Sequence, residues 1–357
     1  MKLLHINTNF NQSTIYRHMF EYFSRESESI LFFPTSHNYI NNNEKIIADN
    51  ILSKMDKFMF FKRNQKLLNY LSSKIDVLSY DHLLCYSLVS NGMIGYSFYK
   101  KYNIEYTVIV QNTDINMYYR KFLHLRPIIN KILLNAKNIV FISKSYQKKL
   151  TNIISHKLLN QIEHKFKVIP FGVDQYWLDN KMYKSNYDSN DILKLLYVGK
   201  IEDNKNINGL IELKNYMANK NKKVHLTLIG KLNDEKYLPF IKAPNITYKE
   251  FLTKDELIKY YRKNDIFIMI SHKETFGLVY VEAMSQGLPV IYTKNEGFDY
   301  QFIDGKIGYP TDKSVEDIEN KIDMIIKNYG EISNNCFISC ERFNWKNIID
   351  EYISLLR

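Results

Sequence analysis

The sequence predicts an α/β protein made of two doubly wound, Rossmann-like domains facing across a cleft. Three observations predict it. Short apolar runs alternate with longer amphipathic ones, and strand, helix, strand at that spacing builds a parallel sheet covered on both faces. The alternation restarts after a polar stretch, DNKMYKSNYDSND at 179–191. The chain of 357 residues is too long for one ordinary hydrophobic core and comfortable for two. The expected division is an N-terminal domain at 1–172, a linker at 173–191, a C-terminal domain at 192–335 and a helical segment at 336–357, with a return to the N-terminal domain open to it.

In the first half, KLLHIN (2–7), SESILFF (27–33), HLLCYS (82–87), YTVIVQ (106–111), NIVFIS (138–143) and FKVIPF (166–171) read as strands. TIYRHMFEYFSRE (14–26) and GMIGYSFYKKY (92–102) read as helices between them. In the second half the strands are LKLLYVG (193–199), KVHLTLIG (223–230), NITYKE (245–250), DIFIMIS (265–271) and LPVIYT (288–293). INGLIELKNYMANK (207–220) and TKDELIKYYRKN (253–264) place apolar residues at three- and four-residue spacing, the signature of an amphipathic helix. NWKNIIDEYISLLR (344–357) is a last amphipathic helix. Open α/β sheets bind ligands outside the carboxyl ends of their strands, so the cleft between the two domains is the expected site.

Composition narrows the function. Hydrophobic residues make up 45% of the chain and charged ones 24%, so a packed core is expected and disorder is not. Lys and Arg number 49 against 38 Asp and Glu, a net +11 that favours anionic partners. Residues 115–167 hold eleven Lys or Arg and one acid, Glu163. The stretch 54–74 interleaves Lys and Arg with Phe, Met and Leu. It reads either as an amphipathic helix with a solvated lysine face or as a surface for anionic lipid headgroups. Cys85, Cys336 and Cys340 have neither metal-ligand nor disulfide spacing. The start MKLLHINTNF turns polar too soon for a signal peptide, and no apolar run approaches the ~20 residues of a spanning helix. The expectation is a cytoplasmic protein, soluble or peripheral on the inner face of the membrane.

The chemistry concentrates in SHKETFGLVYVEAMSQGLPV, 271–290. A strand ends there, a helix begins near Gly277 or Leu278, and Gly287 sits where a left-handed helix cap belongs. Glu274 falls in the loop and Glu282 about one turn into the helix. The N–H groups of Phe276, Gly277 and Leu278 have no intrahelical partner and carry partial positive charge, which suits a phosphate. Two carboxylates beside an anion site fit a ligand that has hydroxyls as well as phosphates. Each glutamate alone also fits a plainer role, Glu274 as an acid at a helix start and Glu282 as an exposed helix residue. A second strand end, LLYVGKIEDNKNINGLIEL at 195–213, supplies Gly199, Lys200 and Lys205. Two ammonium groups there would neutralise a diphosphate without a metal, and no Asp-x-Asp on a strand end suggests bound magnesium.

Together these stretches resemble the family 4 retaining glycosyltransferases, which have the two-domain GT-B fold. Glu274 and Glu282 match the family's E-x7-E motif. Gly199, Lys200 and Lys205 resemble its GR-x4-K phosphate motif, with lysine in place of the usual arginine. VIPFGVDQYW (168–177) is similar to the interdomain VIPNGVD segment. The resemblance is strongest from Val168 to Pro310. In the N-terminal half the usual glycine-rich first loop reads NTNFNQST (7–14), without glycine. Tyr86 stands where many members have a histidine, aligned on Ser90-Asn91-Gly92, and would hydrogen-bond a donor hydroxyl. His82, four residues earlier, reads as a structural strand residue. VQNTDIN (110–116) resembles a VRNTD-type segment of polysaccharide-building members. Asn112 would then contact substrate and Asp114 would orient the acceptor hydroxyl. Asp114 also fits a turn that caps the next helix.

The resemblance implies sugar transfer from a nucleoside-diphosphate sugar to a saccharide or lipid-linked saccharide of a surface polysaccharide, such as capsule, O-antigen or exopolysaccharide. The N-terminal domain would bind the acceptor and the C-terminal domain the nucleotide sugar. No cofactor and no metal are expected; the expected partners are the donor, the acceptor and an anionic inner-leaflet surface, with no nucleic acid. A non-hydrolysing nucleotide-sugar epimerase shares the architecture and would need no acceptor. A nucleic-acid-binding protein would rest on charge alone, without a reading motif.

Overall fold

The computed structural model describes residues 1–35, 43–57, 59–187 and 192–357. The chain forms two compact units, residues 1–172 with 345–357 and residues 173–344. In the first unit seven strands form one sheet: β1 (Lys2–Ile6), β2 (Glu28–Phe32), β3 (Ile46–Ile47), β4 (His82–Cys85), β5 (Tyr106–Val110), β6 (Asn138–Phe141) and β7 (Phe166–Val168). Their order is β3-β2-β1-β4-β5-β6-β7, and every pairing is parallel. β4, β5 and β6 are buried at every residue, as apolar strands covered on both faces must be. The polar exceptions are paired inside: His82 Nε2 lies 2.9 Å from Thr107 Oγ1. That contact and burial bear out His82 as a strand residue of the interior; desolvation lowers its pKa to about 4.

The second unit has six strands: β8 (Ile192–Val198), β9 (Lys223–Ile229), β10 (Ile246–Lys249), β11 (Ile266–Met269), β12 (Val290–Thr293) and β13 (Gly308–Thr311). Their order is β10-β9-β8-β11-β12-β13, again wholly parallel. In both sheets the winding reverses beside the first strand, between β1 and β4 and between β8 and β11. Such a switch point leaves an open crevice at the carboxyl ends of two neighbouring strands. Two doubly wound parallel sheets are the architecture the sequence predicts.

The described part of the expected linker, 173–187, belongs to the second unit. A short helix, Gln175–Asp179, buries Trp177 and Leu178 there, with Asp174 capping it through the Tyr176 N–H at 3.0 Å. Apolar side chains that find a core to pack against do not behave as linker. The helix Tyr329–Ser339 also stays in the second unit, and the crossing to the first falls between Asn344 and Trp345. The last helix, Trp345–Leu356, packs against the helix Thr14–Glu26, stacking Trp345 on Tyr22 with ring centroids 6.2 Å apart. Among the described residues no helix is long and apolar enough to cross a membrane.

Candidate active site

The two sequence motifs of the second unit lie at its switch point. β8 runs into Gly199 and Lys200, and β11 into the loop 270–277. The first loop is tied back by the Tyr197 hydroxyl, which donates to the Lys200 carbonyl at 2.7 Å. It is also tied across to the second. Asn204 donates from Nδ2 to the Lys273 carbonyl at 3.0 Å and accepts the His272 N–H at 2.8 Å. Lys205 Nζ then reaches Glu274 Oε2 at 2.6 Å, an ion pair whose side chains are 18% and 14% exposed. Lys200 is exposed and makes no ion pair among the described residues.

The helix Leu278–Ser285 starts where the sequence places it, with Gly277 at its N-cap in the left-handed region at φ 85°. A side chain there would be strained, and its Cβ would lie 2.7 Å from the Tyr280 ring. The N–H groups of Phe276, Gly277, Leu278 and Val279 find no acceptor among the described residues. No side chain caps the helix, so its positive end is bare toward a ligand. The Phe276 ring is buried against Phe298 and Phe343, leaving only its backbone for contact. Gly287 adopts φ 68°, closing the helix as expected.

Glu282 is half-buried on this helix and accepts a hydrogen bond from the Tyr261 hydroxyl at 3.0 Å. Burial raises its pKa to about 7, against the smaller opposing effect of that hydrogen bond. A carboxylate held this way gains from any further hydroxyl donor, because each one restores solvation lost on folding.

Sequence reasoning missed the groups that hold Glu274. Glu296 Oε2 accepts the Glu274 N–H at 3.0 Å, and the Gly297 N–H donates to the Glu274 carbonyl at 2.9 Å. A Cβ on Gly297 would come within 2.4 Å of the Thr275 backbone. These residues stand more than twenty positions from Glu274, in a loop whose sequence, KNEGF, announces a turn and nothing more. Tyr261 likewise lies in a stretch whose spacing shows a helix and nothing more.

The first unit corrects two expectations. Tyr86 is 2% exposed, and its hydroxyl lies 3.0 Å from His5 Nδ1 inside the core, so it does not face a ligand. His5 in turn meets Ser29 Oγ at 3.0 Å, and burial depresses its pKa to about 3. Tyr86, His5 and Ser29 thus form a buried polar network. Asp114 is 1% exposed, and its carboxylate accepts the N–H groups of Gln111, Leu88 and Val89 at 2.8, 2.9 and 3.0 Å. It clamps the loop after β4 to the loop after β5 and is closed off from solvent, where an acceptor hydroxyl would have to enter. Burial nonetheless raises its pKa to about 6, the three backbone donors opposing this. Asn112 is half-buried in the turn after β5 and accepts from Asn116 Nδ2. At the same sheet end Asn91 Oδ1 accepts the Thr8 N–H at 3.2 Å, tying the glycine-free first loop to the helix that follows β4. The buried Nδ2 groups of Asn7 and Asn91 have no partner among the described residues.

Two doubly wound units, one carrying lysines, glutamates and a bare helix end at its switch point, define a protein of the GT-B fold. Residues 181–339 match the family model described as "Glycosyl transferases group 1". The chain is similar to the capsular polysaccharide biosynthesis glycosyltransferase CapM of Staphylococcus aureus, with 30% identity over 206 residues, covering 54% of this chain and 52% of that one. The match thus spans about half the length of that curated relative. It is also similar to the alpha-monoglucosyldiacylglycerol synthase of Acholeplasma laidlawii, with 27% identity over 313 residues, covering 80% and 75%. Among solved structures, Anabaena HepE in complex with UDP and glucose superposes with a TM-score of 0.67 at 14% identity, covering 100% of this chain and 99% of that one. That last likeness concerns the fold.

Proposed function

We propose that the protein transfers a sugar from a nucleoside-diphosphate sugar to a saccharide or lipid-linked saccharide acceptor, retaining the anomeric configuration and using no metal ion. The observation that carries this reading is the Lys205–Glu274 ion pair beside an uncapped helix end at the switch point of the second unit, with the exposed Lys200 on the same loop as Lys205 and Glu282 on the helix itself. The diphosphate would lie on the N–H groups of Phe276, Gly277 and Leu278, with the loop of Gly199 and Lys200 alongside. Glu282 would accept the ribose hydroxyls and Glu274 those of the transferred sugar. In the free protein Lys205 neutralises Glu274; a bound diphosphate would draw the ammonium and leave Glu274 to the sugar.

As the bond from the anomeric carbon to the leaving phosphate oxygen breaks, negative charge grows on the diphosphate. The lysines and amide dipoles oppose that charge, the kind of preorganised electrostatic contribution that usually dominates catalysis. The acceptor oxygen bonds to the anomeric carbon on the same face, and its proton passes to the departing phosphate. CapM, a capsular polysaccharide glycosyltransferase by name, supports a surface polysaccharide as the product. The Acholeplasma laidlawii synthase, named for a glycolipid, supports an acceptor at the inner leaflet. The net charge of +11 suits an anionic leaflet.

A panel of UDP-, GDP- and ADP-sugars tests the reading. One base should raise the melting temperature, and the product made from its sugar should keep the donor's anomeric configuration by NMR, with turnover unchanged by a chelator. If no nucleotide sugar stabilises the protein, the proposal is wrong. Conversion of the donor alone to an epimer would replace it with the epimerase reading.

A further inference from the structure

The first unit holds a cavity of about 620 Å³ that none of the chemistry above uses. One wall is the start of the helix Phe60–Lys74, with Met59, Phe60, Phe61, Lys62 and Arg63. The facing wall is the π-helical segment Asp114–Tyr119 and the turn after it, with Met117, Tyr118, Phe122, His124 and Leu125. The lining is apolar and aromatic apart from three basic groups, Lys62, Arg63 and His124, and contains no acid. Its mouth carries exposed hydrophobic side chains that a solvated surface normally avoids: Phe61 at 56%, Phe122 at 38% and the adjacent Leu123 at 59%.

Arg63 is unusual among these groups. It is half-buried, its Nε is shielded from solvent, and that nitrogen has no acceptor among the described residues. The acid whose charge acts on it, Asp56, already accepts from the Ser53 N–H at 2.6 Å, Ser53 Oγ at 3.0 Å and Lys66 Nζ at 3.3 Å. Burial lowers the Arg63 pKa, with Tyr118 and Asp56 opposing this. An anion beside it would supply both the missing acceptor and the missing charge. The helix end adds to the same field. Met59 provides no side-chain cap, and the first turn holds no acid.

We infer that this cavity is a docking site for an anionic membrane lipid, with a hydrocarbon chain among Met59, Phe60, Met117, Tyr118 and Leu125 and the headgroup phosphate on Arg63. Charge complementarity selects the occupant. A purely apolar partner would leave Arg63 unpaired, and a free phosphate would leave the aromatic walls wet. Phe61, Phe122 and Leu123 then enter the headgroup layer, and Lys62 with the exposed Arg120 and Lys121 faces its charge. The inference deepens the membrane part of the proposed function and rests on it.

The test uses the full chain and flotation with vesicles of phosphatidylglycerol and phosphatidylcholine at low salt. Wild type should float with the anionic vesicles. Arg63→Gln and the pair Phe61→Ser/Phe122→Ser should each weaken binding at least tenfold, while Lys100→Gln/Lys101→Gln, which removes the same kind of charge elsewhere, should not. Tryptophan placed by Phe122→Trp should shift to the blue and be quenched by brominated chains. The other tryptophans, Trp177 and Trp345, are buried and give a constant background. Equal loss in the Lys100/Lys101 variant, no effect of Arg63→Gln, or absence of quenching overturns the proposal. So does competition by inorganic phosphate as effective as by vesicles, which would mean an anion site without a lipid. The thermal shift with a nucleotide sugar, measured on every variant, should stay at the wild-type value. Lipid binding can therefore fail while the donor reading stands.

Discussion

Lys205 and Glu274 illustrate how one residue's role depends on another's. Each is largely buried and each neutralises the other, so removing either leaves a charge without its partner as well as deleting the proposed ligand contact. We predict that Lys205→Ala and Glu274→Ala each reduce turnover by roughly 10²-fold or more, the scale of losing one preorganised electrostatic contact. The double variant should lose far less than the product of the two, because the pair acts as a unit. Unchanged turnover in a single variant removes that residue from the mechanism. Glu282 offers a pH-dependent readout. Its pKa is raised from 4.5 to about 7, so the fold disfavours its ionised form. Its contribution to stability is therefore present below pH 4.5, declines as pH rises toward 7, and above that leaves a cost of about 3 kcal/mol. Glu282→Gln should melt higher than wild type near pH 8 and no higher near pH 4, and nucleotide-sugar affinity should rise toward pH 7 in wild type only. A flat melting-temperature difference across that range would show that Glu282 is not desolvated.

At the scale of elements, the site is two loops at neighbouring strand ends, and their positions are set by loops remote in sequence. Gly297 is the sharpest case. Its Cβ would strike the Thr275 backbone, which cannot rotate away as a side chain would. Gly297→Ala should shift the loop of Glu274, weakening donor binding strongly while costing about 1–3 kcal/mol of stability; calorimetry and a denaturation curve separate the two. In the first unit Asp114 does comparable work for loop geometry. Asp114→Asn replaces an acceptor oxygen by an N–H₂ group facing backbone donors. It should cost about 1–3 kcal/mol for each buried donor left unpaired. Turnover and acceptor KM of the folded variant should stay near wild type, and a selective loss of turnover with stability retained would reopen a direct role toward the acceptor hydroxyl. Element boundaries themselves were largely legible. The helices at 14–26 and 92–102 have the predicted limits, because apolar spacing and termination signals agree there. β3 and β13 were not legible. Two isoleucines are too short to show a period of two, and Gly308-Tyr309-Pro310-Thr311 lacks strand propensity and pairs only at the sheet edge, where proline's missing donor is tolerated.

At the scale of the whole molecule, the chain closes its first unit last. Residues 345–357 return to it, and Trp345 is buried against the segment at Gly172. Trp345→Ala should destabilise the first unit by about 3–5 kcal/mol, the usual cost of emptying a buried aromatic site. Hydrogen exchange should show the loss in β1 through β7 while β8 through β13 keep wild-type protection. Uniform loss in both sheets would mean that the units unfold as one.

The sequence by itself determined the two doubly wound sheets, the strand-end placement of both motifs and the start of the helix behind Gly277. These follow from periodicity and from residues close together in the chain, where local sterics and backbone hydrogen bonding act directly. Only the tertiary structure decided which polar side chains are free to meet a ligand. Tyr86 and Asp114 stand where the resemblance implies ligand contacts and are consumed by the interior, whereas Glu296 and Gly297 carry no motif and hold Glu274 in place. The difference is physical: a hydrogen bond depends on which distant segments the fold brings within three ångströms, and that distance is not written in either segment alone.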